Sequence, residues 1–72
     1  MNSDYVVIIE NAGPNYSAYS PDVPGCIAVG DSIEETAQNF RDALDLHFEA
    51  LREEGYPIPR PSTAVRMIQI AA

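Results

Sequence analysis

An α+β domain of order β-β-β-α-β is predicted, a small antiparallel-rich sheet with one long helix packed across a face. Three observations predict it. Short β-branched and aromatic runs alternate with Gly/Pro/Asn turns over the first 30 residues, a capping box then opens a stripe of apolar residues at helical spacing, and a proline-rich exit leads to a last apolar run. Seventy-two residues leave room for one domain.

The first run, Tyr-Val-Val-Ile-Ile at residues 5–9, is bounded by Asp4 and by the turn sequence of residues 10–15, and so predicts a strand. Residues 16–20, Tyr-Ser-Ala-Tyr-Ser, read as a strand with one packed face and complete a hairpin with it. Residues 21–25 hold Pro21, Pro24 and Gly25, through which no ladder is expected to run, so the third strand is placed at residues 26–29 and its end at Gly30.

Ser32 followed three positions later by Glu35 is a capping box, and Asp31 and Glu34 add negative charge at the positive end of the helix dipole. Ile33, Ala37, Phe40, Leu44, Phe48 and Leu51 recur at spacings of three and four and share one stripe, until Gly55 supplies the stop. The helix is about 22 residues long. Three prolines at 57, 59 and 61 favour an extended connection. Residues 64–70 are expected to close the sheet as a fourth strand. Pro24, Gly25, Gly30, Gly55 and Pro57 are expected to serve backbone geometry, glycine by allowing positive φ and proline by fixing φ.

Composition narrows the function classes. Eleven acids stand against four arginines, a formal charge of −7. Nucleic-acid affinity comes largely from Lys and Arg neutralising phosphates, so direct binding to DNA or RNA is not expected and basic macromolecules are the favoured partners. The longest apolar stretch, residues 5–9, is far too short to cross a bilayer and no basic segment precedes it; no membrane partner and a cytoplasmic location are expected.

A domain of this size buries roughly 60% of its unfolded surface, and its core rarely supplies more than about 3–5 kcal/mol. Cys26 has no second cysteine for a disulfide, and His47 with Cys26 cannot complete a zinc site, so no metal or cofactor is expected. Both faces of residues 5–9 carry apolar groups, and only one side of the sheet has a helix to cover it. A homodimer or higher homo-oligomer would hide the surplus.

Projected at about 100° per residue, Glu34, Glu35, Asp42, Asp45, Glu49 and Glu53 share roughly a third of the helix circumference, opposite the apolar stripe. Asp45 with Glu49, and Glu49 with Glu53, repel at i, i+4, while Glu49 with Arg52 and Arg41 with Asp45 offset part of that cost. The face reads either as a docking surface for a basic partner or as an ordinary solvated helix face. Leu46, between Asp42 and Glu49, points outward as well, as an interface contact or a single exposed leucine. The candidate partner-binding set is Glu34, Asp42, Asp45, Leu46, Glu49 and Glu53. His47 reads as a packed side chain at the stripe margin and Cys26 as a buried thiol, with no nucleophile and base paired for catalysis.

Residues 5–9, 16–26, 30–37 and 55–62, in this order, resemble the amino-terminal domain of the HicB antitoxins. The matching elements are the Pro-Asp-Val-Pro-Gly turn at 21–25, the Gly-Asp-Ser helix start at 30–32 and the Gly-Tyr-Pro-Ile-Pro-Arg-Pro exit at 55–61. The resemblance implies a partial, degenerate RNase H-like fold. It also implies a non-enzymatic antitoxin that binds and neutralises a small basic HicA-type toxin, an mRNA-cleaving protein with a double-stranded-RNA-binding-like fold. An acidic domain suits a partner built to bind RNA. Many members continue into a helix-turn-helix or ribbon-helix-helix module that binds the operon's promoter; the expectation here is a single domain over residues 1–72 without one.

Two other classes remain open. The same fold can serve as an oligomeric interaction or regulatory module without a toxin. A residual nuclease would need carboxylates converging on divalent metals, and Asp4, Glu10, Asp22 and Asp31 are scattered along the elements.

Overall fold

The computed structural model describes residues 3–72 and holds three strands and one helix: β1 (Ile8–Asn11), β2 (Tyr16–Ser20), β3 (Val23–Gly30) and α1 (Ile33–Glu54). The strands form one antiparallel sheet in the order β1-β2-β3. α1 returns across one face, over β3 and β2 more than over β1.

The first strand begins later than expected. β2 ends at Ser20 and pairs Tyr19 with Ile8, so residues 5–7 extend past the last ladder partner. At the other end pairing continues to Asn11, opposite Tyr16. The turn between them closes locally: the Ala12 amide donates to the Asn15 carbonyl at 2.8 Å, the Asn11 carboxamide oxygen accepts from the Gly13 amide at 2.9 Å, and Gly13 adopts φ 98°.

The third strand is longer than expected and runs through Pro24. Tyr19 pairs with Ile27, whereas the next residue, Ser20, pairs with Val23, so residues 24–26 bulge out of the ladder. The bulge removes Pro24 from any bond it could not make, and Gly25 supplies φ 86° there. Gly55 is likewise left-handed, at φ 77°. Gly30 has no positive φ; it is there for space. A Cβ on it would stand 2.7 Å from Thr36 Oγ1 and 2.8 Å from the Thr36 amide nitrogen, so the strand end and the first helical turn meet only without a side chain.

The core lies between sheet and helix and consists of Ala18, Val23, Cys26, Phe40 and Phe48, with Tyr5, Ile9, Leu44, Leu51 and Ile58 packed around it. Tyr5 and Phe48 stack at 5.3 Å and a 54° tilt. At the start of α1 the expected stripe is displaced: Ile33 and Ala37 are exposed, and Thr36 is fully buried in their stead. Burial of Thr36 is tolerated because its hydroxyl donates to the Ser32 carbonyl at 2.6 Å. On β2 the small residues Ala18 and Ser20 are buried and Tyr19 is exposed.

The fourth strand is not formed within the chain. After Glu54 the backbone carries no helix or ladder, and residues 64–70 pair with none of the described strands. A strand needs a neighbour for its amides and carbonyls, and apolar alternation alone does not provide one. Residues 56–63 are nevertheless fixed. The Tyr5 hydroxyl donates to the Pro59 carbonyl, and the Asp22 carboxylate accepts from the amides and hydroxyls of Ser62 and Thr63 at 2.9–3.2 Å.

Candidate functional site

α1 is held as a single rod by both of its ends. At the start, Ser32 is the N-cap in an extended conformation, φ −138° and ψ 165°, and its hydroxyl oxygen accepts from the Glu35 amide at 3.0 Å. Glu35 closes the box one residue further back than the common form, accepting from the Asp31 amide at 3.0 Å. At the far end the Gly55 amide donates to Arg52 and the Tyr56 amide to the Leu51 carbonyl, 3.1 and 2.9 Å, which is a Schellman closure.

Burial of Thr36, Phe40 and Phe48 fixes the rotation of the rod about its axis and turns the opposite side to solvent. Glu34, Asp42, Asp45, Leu46, Glu49 and Glu53 are all exposed, Leu46 by 67%. Of the six, Asp42 has a neighbour on the helix: the Gln38 side-chain amide donates to its carboxylate at 3.0 Å. Glu35 faces solvent too but is occupied by the capping bond. The surface is thus five carboxylates and one leucine on a stiff helix, able to attract and orient a basic partner without any group positioned for covalent chemistry.

One flank of this face is less acidic than the helical projection suggests. Arg41 and Arg52 lie there with Asp45, along the rim of a groove of about 620 Å³ between α1 and residues 3–7 ahead of β1. The other flank is tied to the sheet edge by Asn39, whose side-chain amide donates to the Val29 carbonyl at 2.8 Å.

His47 is half-buried with its ring 6.2 Å from that of Phe48. Burial pushes the Cys26 thiol above its ordinary value, which leaves it protonated and unreactive. Among the described residues no group of three or more His, Cys, Asp or Glu side chains could hold a metal ion. Nor, among the described residues, is any helix long and apolar enough to cross a membrane.

Two features escaped the sequence. The groove depends on where α1 lies relative to β1, which no local pattern encodes. The bonds from Ser62 and Thr63 to Asp22 join positions about forty residues apart, and the sole hint was a Ser-Thr pair directly after Pro61.

A three-stranded antiparallel sheet crossed by one capped helix, with a carboxylate-rich outer side, places the molecule among small α+β domains that expose a charged helix. The chain belongs to the HicB-like antitoxins of bacterial toxin-antitoxin systems, whose family model matches residues 5–71. It is similar to a UPF0150 protein of Synechocystis sp., 34% identical over 68 residues that cover 93% of this chain and 86% of that one. A UPF0150 protein of Helicobacter pylori is 28% identical over 65 residues, 89% of this chain and 90% of the relative. A 14.9 kDa protein of Haemophilus phage HP1 is 34% identical over 56 residues, 78% of this chain but 42% of the phage protein. Among solved structures, a chain of the HicA3 and HicB3 toxin-antitoxin complex superposes with a TM-score of 0.72 at 32% identity, over 83% of this chain and 70% of that one.

Proposed function

We infer that this protein neutralises a small basic HicA-type mRNA-cleaving toxin by binding it and covering its RNA-binding or catalytic surface, without catalysing a reaction itself. The observation that carries the reading is the exposed face of Glu34, Asp42, Asp45, Leu46, Glu49 and Glu53 on a helix capped at both ends. Family membership and the likeness to a chain of a toxin-antitoxin complex support the antitoxin role.

The physics is that of a blocking surface. A toxin that grips phosphates presents positive potential, and a row of fixed carboxylates meets it without reorganisation, raising the encounter rate at low salt. Leu46, in the middle of the row, supplies apolar contact that salt does not screen. Because the carboxylates are already displayed on a rigid element, little conformational entropy is lost on docking.

The test is calorimetric titration of the full chain with the basic protein encoded by the neighbouring gene, kept inactive by a substitution that abolishes RNA cleavage. Micromolar or tighter binding is expected, weakened at least tenfold by Asp42→Lys with Asp45→Lys and Glu49→Lys. Unchanged affinity in the triple variant removes the helix face from the interface; absence of binding removes the toxin.

A second reading is an oligomeric interaction or regulatory module of the same fold without a cognate toxin. It is favoured by apolar surface away from the acidic face: Tyr19, Ile27 and Val29 on the outer side of the sheet are 40–68% exposed. Partner capture by the acidic face distinguishes the two.

A further inference from the structure

We propose that Ser62 is a phosphorylation site, where a serine/threonine kinase transfers the γ-phosphoryl group of a nucleoside triphosphate and thereby opens the clamp that Ser62 and Thr63 make with Asp22. This goes beyond the antitoxin reading and does not depend on it.

A kinase must lay its target hydroxyl in line with the γ-phosphate, which calls for an exposed side chain on backbone not engaged in a helix or ladder. Ser62 meets both conditions. The chain's other aliphatic hydroxyls are worse placed. Ser17 and Ser20 belong to β2, the middle strand; Ser32 caps α1; Thr36 is fully buried and Thr63 half-buried. Ser3 is exposed but lies next to Asp4, with no arginine before Arg41.

Charge singles out the same residue. All eleven acids fall at residues 4–54, whereas residues 55–72 hold Arg60 and Arg66 and no acid. The exit is thus a basic stretch on a chain of charge −7, and Arg60, exposed, stands two residues ahead of Ser62. An anionic phosphoryl donor is drawn there, and a nearby guanidinium can pair with the product phosphate.

In the transfer Ser62 Oγ attacks the γ-phosphorus, the bond from that phosphorus to the β–γ bridging oxygen breaks, and the nucleoside diphosphate leaves with the bonding pair; the hydroxyl proton passes to a base of the kinase. The lost proton is the one that Ser62 donates to Asp22 Oδ1 at 2.9 Å. In its place stands a group of about −1.5 to −2 charges beside a carboxylate. Repulsion parts the two, and the phosphate turns to Arg60. The Ser62 amide and both Thr63 donors end on the same carboxylate and are lost with it, whereas α1, capped by its own neighbours, and the bond from Tyr5 to Pro59 stay. The chain beyond Pro61 is then no longer fastened to the β2–β3 turn.

Peptide mass spectrometry after incubation of the full chain with ATP and an arginine-directed serine/threonine kinase tests the site. Phosphate on Ser62 is expected, slowed by Arg60→Ala and absent in Ser62→Ala. The clamp is tested on the full chain with phosphoserine placed at position 62 during translation: protection of the Thr63 amide is expected to fall about tenfold or more, with that of α1 unchanged. Asp22→Arg inverts the response. Its unmodified exit is expected to be mobile by NMR relaxation, and phosphoserine at position 62 to order it through the new phosphate–guanidinium pair. A chain without phosphate on Ser62, a Thr63 amide as protected with phosphoserine as without it, or an Asp22→Arg exit indifferent to phosphoserine overturns the proposal. The last result would show that bulk, not charge, opens the clamp.

Discussion

Thr63 donates twice to the carboxylate of Asp22, from its amide to Oδ2 at 3.2 Å and from its hydroxyl to Oδ1 at 2.9 Å. Ser62 repeats the pattern at 3.1 and 2.9 Å. A single turn residue thereby fastens the exit of the helix to the β2–β3 hairpin and sets the direction in which the chain leaves.

Desolvation pushes the Asp22 carboxyl up, but the hydroxyls and then the amides of Ser62 and Thr63 outweigh it and hold the group below its ordinary value of 3.8. The folded state thus holds the proton more weakly than the unfolded chain. The contribution is complete above pH 3.8 and disappears as pH falls through the lower folded value. The protection of the Ser62 and Thr63 amides, measured by NMR as exchange relative to the unstructured rate at each pH, is expected to fall below that pH. Asp22→Ala, which removes both acceptor oxygens, is expected to show loss of Ser62 and Thr63 amide protection at neutral pH with the protection of α1 intact; protected amides in the variant would refute the clamp.

Gly30→Ala is expected to destabilise the fold by about 1–3 kcal/mol, because the added methyl meets the Thr36 backbone as well as the Thr36 hydroxyl, which is itself held by the Ser32 carbonyl. In a domain this small the loss lowers Tm by roughly 4–8 °C per kcal/mol. Thermal unfolding at fixed protein concentration measures it, and an unchanged Tm would show that the helix start can retreat from the strand.

Ser32→Ala removes the oxygen that receives the Glu35 amide, at a cost of about 1 kcal/mol. The loss should appear as fraying of the first turn of α1 in amide exchange, leaving the Gly55 end unaffected. Glu34 sits in that turn, so its place in the acidic face would loosen while Asp42 to Glu53 stay ordered.

Ser20 is 3% exposed and its hydroxyl has no hydrogen-bond partner among the described residues. Removing an unsatisfied buried hydroxyl releases its desolvation penalty, so Ser20→Ala is expected to be neutral or stabilising by up to about 1 kcal/mol. A clear destabilisation in chemical denaturation would show that the hydroxyl is paired in solution.

Capture of a basic toxin by the face from Glu34 to Glu53 is expected to depend on salt through association. Stopped-flow rates should fall steeply between about 0.01 and 0.15 M ionic strength, as the screening length shrinks from about 30 to 8 Å. Dissociation should change little, and Leu46→Ala should raise it instead. A salt-independent association rate would mean that docking occurs away from the carboxylates.

Much of this molecule is written in short-range chemistry. The Ser32–Glu35 cap, the 3.6-residue repeat of Phe40, Leu44 and Phe48 and the left-handed stop at Gly55 each depend on neighbours within one or two turns, and each forms where its residues stand; the β-branched run of residues 5–9 enters the ladder only from Ile8. The outward set from Glu34 to Glu53 follows from that same repeat. Other features required the assembled chain. Whether Pro24 ends or joins a strand rests on a bulge opposite Tyr19; whether Ile33 or Thr36 is buried rests on how closely α1 approaches Gly30. The clamp at Asp22 and the groove beside β1 join residues distant in sequence, whose meeting is a property of the packed structure. Residues 64–70 show the division most plainly. They form an apolar run of strand-forming residues, but a strand exists through the bonds of a neighbour, and none of the described strands pairs with them.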